Sequence, residues 1–126
     1  ALGRLQPWLA RTPVASSPGF DALCGRRVFL KCENLQHGGA FKYRGAINAL
    51  LQRPVGDSQR PVATHSSGNH GTALALAARA LGLRCHVVIP RDASAAKLAA
   101  VEGAGAQVRL CPPGLAAREA TLAAWL

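Results

Sequence analysis

With 126 residues and a mass of 13.1 kDa, the chain has room for one ordinary domain, which at this size buries about two-thirds of the surface its unfolded form exposes. A hydrophobic fraction of 49% beside 17% charged residues excludes wholesale disorder, and no apolar run approaches the roughly 20 residues that cross a bilayer. The net charge of +9 comes from basic residues scattered from Arg4 to Arg118 without interleaved aromatics, so neither nucleic acid nor a membrane is an expected partner.

Taken in chain order, the entry is irregular, punctuated by Thr12-Pro13 and Ser17-Pro18-Gly19. Residues 27–33 (RVFLKCE) alternate as a short strand, residues 36–40 (QHGGA) form a glycine turn, and residues 41–53 carry Ile47, Leu50 and Leu51 at helical spacing. Lys42 falls on the first turn of that helix. The polar stretch 54–60 (PVGDSQR) reads as a boundary, which predicts two packing units, 1–58 and 59–126.

Beyond the boundary the rhythm changes. Strands are expected at 62–65, 85–89 and 107–111, with helices at 70–81, 93–102 and 115–126. Strands alternating with helices of this length imply right-handed βαβ crossovers and an open, parallel, Rossmann-like α/β sheet. The first residue is not Met, no secretory signal is visible, and the pattern stops on a helix. The expectation is a sheet incomplete at its C-terminus and a portion of a larger protein. Cys24, Cys32, Cys85 and Cys111 show no C-x-x-C spacing and no paired histidines, so no metal site is expected. Reduced thiols in the cytoplasm are the expected state.

Two segments carry chemistry. Ser66 to Gly71 (SSGNHG) lies where a strand ends and a helix begins, at the carboxyl edge of the sheet where open α/β folds bind ligands. First-turn N–H groups and the helix dipole favour an anion there. On spacing alone a plain glycine turn with serine caps is the alternative. Lys42 is one of three lysines and follows Gly38-Gly39-Ala40-Phe41. A helix start is the wrong place for a cation and a suitable one for an amine that must attack a carbonyl uncharged. A solvated surface lysine is the bland alternative.

Together these segments are specific. Arg11-Thr12-Pro13-Val14, residues 28–36 (VFLKCENLQ), Phe41-Lys42-Tyr43-Arg44-Gly45-Ala46 and Ser66-Ser67-Gly68-Asn69-His70-Gly71 resemble the fold-type II pyridoxal-phosphate enzymes. The pattern of Pro90, Lys97 and Gly105-Ala106 follows them, and Asn69-His70 points to the serine racemase and serine/threonine dehydratase group. The resemblance implies a three-layer αβα, tryptophan synthase β-like fold, with 1–58 belonging to a large cofactor domain and 59–126 to a small one.

It also implies pyridoxal 5'-phosphate as cofactor, L-serine or L-threonine as substrate, and a homodimer for the full-length protein. Lys42 matches the lysine that forms the internal Schiff base and moves the α-proton on one face of the substrate. Phe41 matches the residue packed against the cofactor ring, and Asn69 the amide that bonds the pyridoxal 3-oxygen. Ser66, Ser67, Gly68, Asn69 and His70 match the substrate-carboxylate loop, with Ser67 the acid/base of the opposite face. Ala40 departs from the usual hydroxyl residue before Phe-Lys, and Thr72 stands where serine racemases often have Gln. The glycine-rich phosphate loop of the family has no match in this chain, so a catalytically silent chain acting through a partner is the competing expectation.

Overall fold

The computed structural model describes residues 1–54, 57, 60–66 and 68–126. A short helix α1 (Leu2–Leu5) and a 3-10 turn (Gln6–Trp8) lead into β1 (Val14–Ala15), which pairs antiparallel with β2 (Leu30–Lys31). Between them runs α2 (Pro18–Cys24), a helix that the expected irregular entry omits. Its ends are nonetheless written locally. The Ser17 hydroxyl accepts the Phe20 N–H at 3.4 Å, Pro18 takes the first turn, and Gly25 closes the helix at φ 64°. The expected strand 27–33 shrinks to two residues for a physical reason. The Asp21 carboxylate accepts the Val28 N–H at 2.7 Å, and residues 33–35 wind into a 3-10 turn.

The turn at His37–Gly39 holds Gly38 and Gly39 at φ 71° and 69°, a left-handed pair that side chains resist. From it springs α3 (Lys42–Leu50), whose Tyr43, Ala46, Ile47 and Leu50 recur at helical spacing and are buried. They pack on α4 (Asn69–Ala80), where Ala73, Leu74, Ala77 and Ala78 present a flat small-residue face to the same core.

The alternation expected for the second half is present. β3 (Val62–His65), β4 (Cys85–Pro90) and β5 (Gln107–Cys111) form a parallel sheet in the order β3-β4-β5. Val62 stands opposite Cys85, and His86 opposite Gln107. β4 is buried along all six residues, as a central parallel strand covered on both faces must be. Its Cys85, Val87 and Ile89 join the core made with α3 and α4, alongside α5 (Ala95–Gly103). His86 points the other way and stacks on Trp125, 4.4 Å between centroids, just past α6 (Leu115–Ala123). The layers are therefore αβα around an open parallel sheet.

Gly71 fixes how closely α4 meets the sheet. A Cβ there would lie 2.9 Å from the Ser66 carbonyl oxygen and 3.2 Å from Val87 Cγ1. A Cβ at Gly68 would meet nothing within 4 Å. Gly71→Ala should therefore destabilise the chain by about 1–3 kcal/mol in urea unfolding, the usual cost of overpacking a filled site. Gly68→Ala should cost less. Equal losses would show that helix-sheet contact is not limiting.

Candidate active site

β3 ends at His65, and its ladder continues one residue further where the Ser66 N–H donates to the Val88 carbonyl at 3.1 Å. Past Ser66 the chain turns into α4, capped by the backbone of Gly68, whose N–H donates to Ser66 Oγ at 3.4 Å. Gly68 uses no side chain as a cap, and the N–H groups of Asn69 and His70 open the helix without intrahelical acceptors. The helix start thus faces outward at the carboxyl edge of the sheet, where the sequence places the substrate loop. Ser67, expected to be catalytic, lies outside the described residues.

Lys42 is the first residue of α3, with Phe41 before it. Its Nζ sits 5.1 Å from the centroid of the Phe41 ring, which is 58% exposed. Among the described residues, no hydrogen bond or ion pair holds this ammonium. Phe41, Lys42 and His70 line one cleft of about 400 Å³, closed at the back by Ala46, Ala49 and Leu74. Gly68 and Asn69 open instead onto a neighbouring cleft of about 220 Å³ with Gly38, Thr72 and Lys97. The structure therefore brings the lysine and the histidine together and sets the asparagine on the adjoining side of the same helix start. Lys97, which the sequence does not assign to the site, also lines this second cleft. Its Pro90 to Gly105 spacing was visible, but nothing local shows that α5 leans on the start of α4.

The electrostatics suit an anion. Among the described residues, no carboxylate lines either cleft. His70 is held below the usual imidazole range by burial first, then by the charges of Lys42 and His65, so at neutral pH it is an uncharged donor and acceptor. An unpaired amine, an open aromatic face, a carboxamide and free first-turn N–H groups form a donor set that fits an aromatic aldehyde bearing an anionic group. Among the described residues no group of three or more His, Cys, Asp or Glu could hold a metal ion.

Two residues beyond Lys42, the first turn of α3 is anchored by a network. Arg44 grips Glu33 through two bonds, Nε to Oε2 and a terminal NH2 to Oε1, each 2.7 Å. Glu33 Oε1 also accepts the Thr12 hydroxyl at 2.6 Å, and Lys31 Nζ donates to the Thr12 carbonyl at 2.6 Å. The buried Gln36 amide clamps Ala10 from both sides, donating to its carbonyl and accepting its N–H, each at 3.0 Å. Segments far apart in the sequence meet in this one network. Bonds from Arg44 and then Thr12 hold the Glu33 carboxyl down to about 2.

The family described as "Pyridoxal-phosphate dependent enzyme" matches residues 5–125. The chain is 43% identical over 116 residues to a serine racemase of Dictyostelium discoideum, covering 92% of this chain and 36% of that protein. It is 43% identical over 120 residues to a β-hydroxyaspartate dehydratase of Paracoccus denitrificans, covering 95% of this chain and 38% of that one. The solved structure of maize serine racemase superposes with a TM-score of 0.92 at 41% identity, over 97% of this chain and 37% of that chain. The chain thus spans little more than a third of the length of these relatives.

Because its folded value is depressed, Glu33 contributes stability that is fully present above the ordinary carboxyl value of 4.5 and is lost as pH falls toward about 2. Glu33→Gln should be less stable than the parent by about 1–2 kcal/mol at pH 7, an ordinary loss for a charged hydrogen-bonded pair. The gap should close as pH falls from 4.5 toward 2, read by urea melts at several pH values. A gap that stays constant across that window would remove the pair from the account.

Proposed function

The chain belongs to the family of pyridoxal-phosphate dependent enzymes, and on that premise we propose that the whole protein abstracts the α-proton of a hydroxy amino acid, as a serine racemase or serine/threonine dehydratase. The observation that carries this reading is the unpaired Lys42 amine at the start of α3, sharing a cleft with His70 beside the open Phe41 ring. Similarity to a serine racemase and to a β-hydroxyaspartate dehydratase supports both outcomes, since each begins with the same proton.

When bound, pyridoxal phosphate supplies the electron sink for the pair left by the departing α-proton. Lys42 would hold the cofactor and then carry that proton on one face of the substrate. Phe41 would pack on the pyridine ring, and the Asn69 amide would orient it. Ser66, Ser67, Gly68, Asn69 and His70 form the carboxylate loop in this reading. His70, being uncharged, donates a hydrogen bond without adding a fixed charge, and the N–H groups opening α4 favour the anion. Ser67 would serve the opposite face, a proton that racemisation needs and elimination does not. Its replacement by Ala should therefore remove racemisation and spare part of the elimination.

We propose further that residues 1–58 belong to a larger cofactor domain and 59–126 to a smaller one. The separation of the two-stranded from the three-stranded sheet supports that division, with the α3 and α4 packing as its seam. L-serine or L-threonine as substrate and a homodimer complete the reading. A cytoplasmic location agrees with four free thiols, of which Cys85 is pushed up to about 11 by burial and so is chemically quiet. No helix among the described residues is long and apolar enough to cross a membrane.

Borohydride reduction in the presence of pyridoxal phosphate, followed by peptide mapping, tests the lysine. The label should fall on Lys42, and the Lys42→Ala protein should release no pyruvate or 2-oxobutanoate from serine or threonine. A label confined to Lys31 or Lys97 would overturn the assignment.

A further inference from the structure

Beside the Glu33 and Arg44 pair lies a third cleft of about 350 Å³, open to solvent and not lined by Lys42. Leu2, Gln6 and Leu9 form one wall, and Arg11, Lys31 and Arg44 supply three cations. Among the described residues, no carboxylate lines it. Glu33, the nearest acid in the network, is already held by Arg44 and Thr12, so it offsets one of the three charges and leaves two. Lys31 spends one ammonium proton on the Thr12 carbonyl and keeps two donors. Arg11 is exposed and, among the described residues, its guanidinium makes no hydrogen bond or ion pair. Like charges drawn together beside an apolar wall, with the donors of Arg11 and two of those of Lys31 unspent among the described residues, make a positive potential that a bound anion relieves.

We propose that this groove is an anion site distinct from the lysine cleft. It takes a small organic oxyanion, a phosphate ester or a carboxylate, with the charged end on Arg11 and Lys31 and a short hydrocarbon body against Leu2 and Leu9. A guanidinium and an ammonium on one anion give charge-assisted hydrogen bonds, the stronger class. Arg44 lines this groove and the Lys42 cleft alike. An anion seated here draws on the guanidinium that otherwise belongs to Glu33, and so acts on the first turn of α3, where Lys42 stands. Arg11 and Lys31, which would hold the anion, lie outside the Lys42 cleft, and Arg44 is the residue the two clefts share.

The test is an amide-resolved NMR titration of the 126-residue chain with inorganic pyrophosphate and, separately, succinate, at constant ionic strength. Saturable shifts are expected at the amides of Ala10 to Thr12 and of Lys31 and Cys32. Stronger binding of pyrophosphate identifies a phosphate ester as the natural class, and stronger binding of succinate a carboxylate. Arg11→Gln removes a side chain with no partner in the network, so its fold should be intact. It should weaken binding about tenfold, the scale of one charge-assisted bond. Lys31→Gln should do the same, and Lys42→Ala should leave the affinity unchanged. Shifts that fail to saturate, that survive Arg11→Gln unaltered, or that appear only at Asn69 and His70 would overturn the proposal.

Discussion

The bidentate pair between Glu33 and Arg44 is the constraint on which the rest of the site depends. The two stand eleven positions apart in the chain, yet their bonds of 2.7 Å tie the turn after β2 to the first turn of α3. The guanidinium and carboxylate are 34% and 17% exposed, dry enough for the geometry to count and wet enough that the desolvation cost stays modest. Thr12 adds a third bond and brings the entry segment with it. A lysine at the start of a helix has long, loose rotamers of its own. What it gains here is a helix whose first turn cannot rotate freely.

The other half of the site depends on close packing. Gly71 lets α4 rest against Val87 and the Ser66 carbonyl, which aims the opening of the helix across the carboxyl edge of β3. The alanine face of α4 then receives Tyr43, Ile47 and Leu50 of α3. The same helix thus carries the loop at its start and meets the lysine-bearing helix along its flank. Arg79 ties the far ends of α4 and α5 by donating to the Gly103 carbonyl at 3.1 Å, which satisfies the end of α5.

The parts legible in the sequence are those governed by local periodicity. The run at 85–89 is apolar throughout because β4 is covered on both faces, and β3, α4 and β5 follow from the same alternation. Lys42 and the loop after β3 stand out by residue type and position. A local signal also stands at α2, which the expectation of an irregular entry omits. Ser17-Pro18 and Gly25 bracket α2 with a cap, a first-turn proline and a left-handed stop. The Glu33 and Arg44 pair is a different case, since no spacing rule connects a carboxylate on a turn to a guanidinium on a later helix. The place of Lys97 is hidden for the same reason, as it depends on how α5 lies against α4.

The central claim is that the fork on Glu33, and not positive charge alone, sets Lys42 in place. Arg44→Lys separates the two, because a lysine keeps the charge and loses the planar two-bond grip. The direct measurement is the rate of borohydride-trapped pyridoxyl labelling at Lys42, with labelling at Lys97 as the internal reference. The account predicts that Arg44→Lys slows labelling at Lys42 about tenfold or more and leaves Lys97 unchanged, in line with the sensitivity of reaction rates to misplacement by about 1 Å. Equal labelling of Lys42 in the parent and the variant would contradict it.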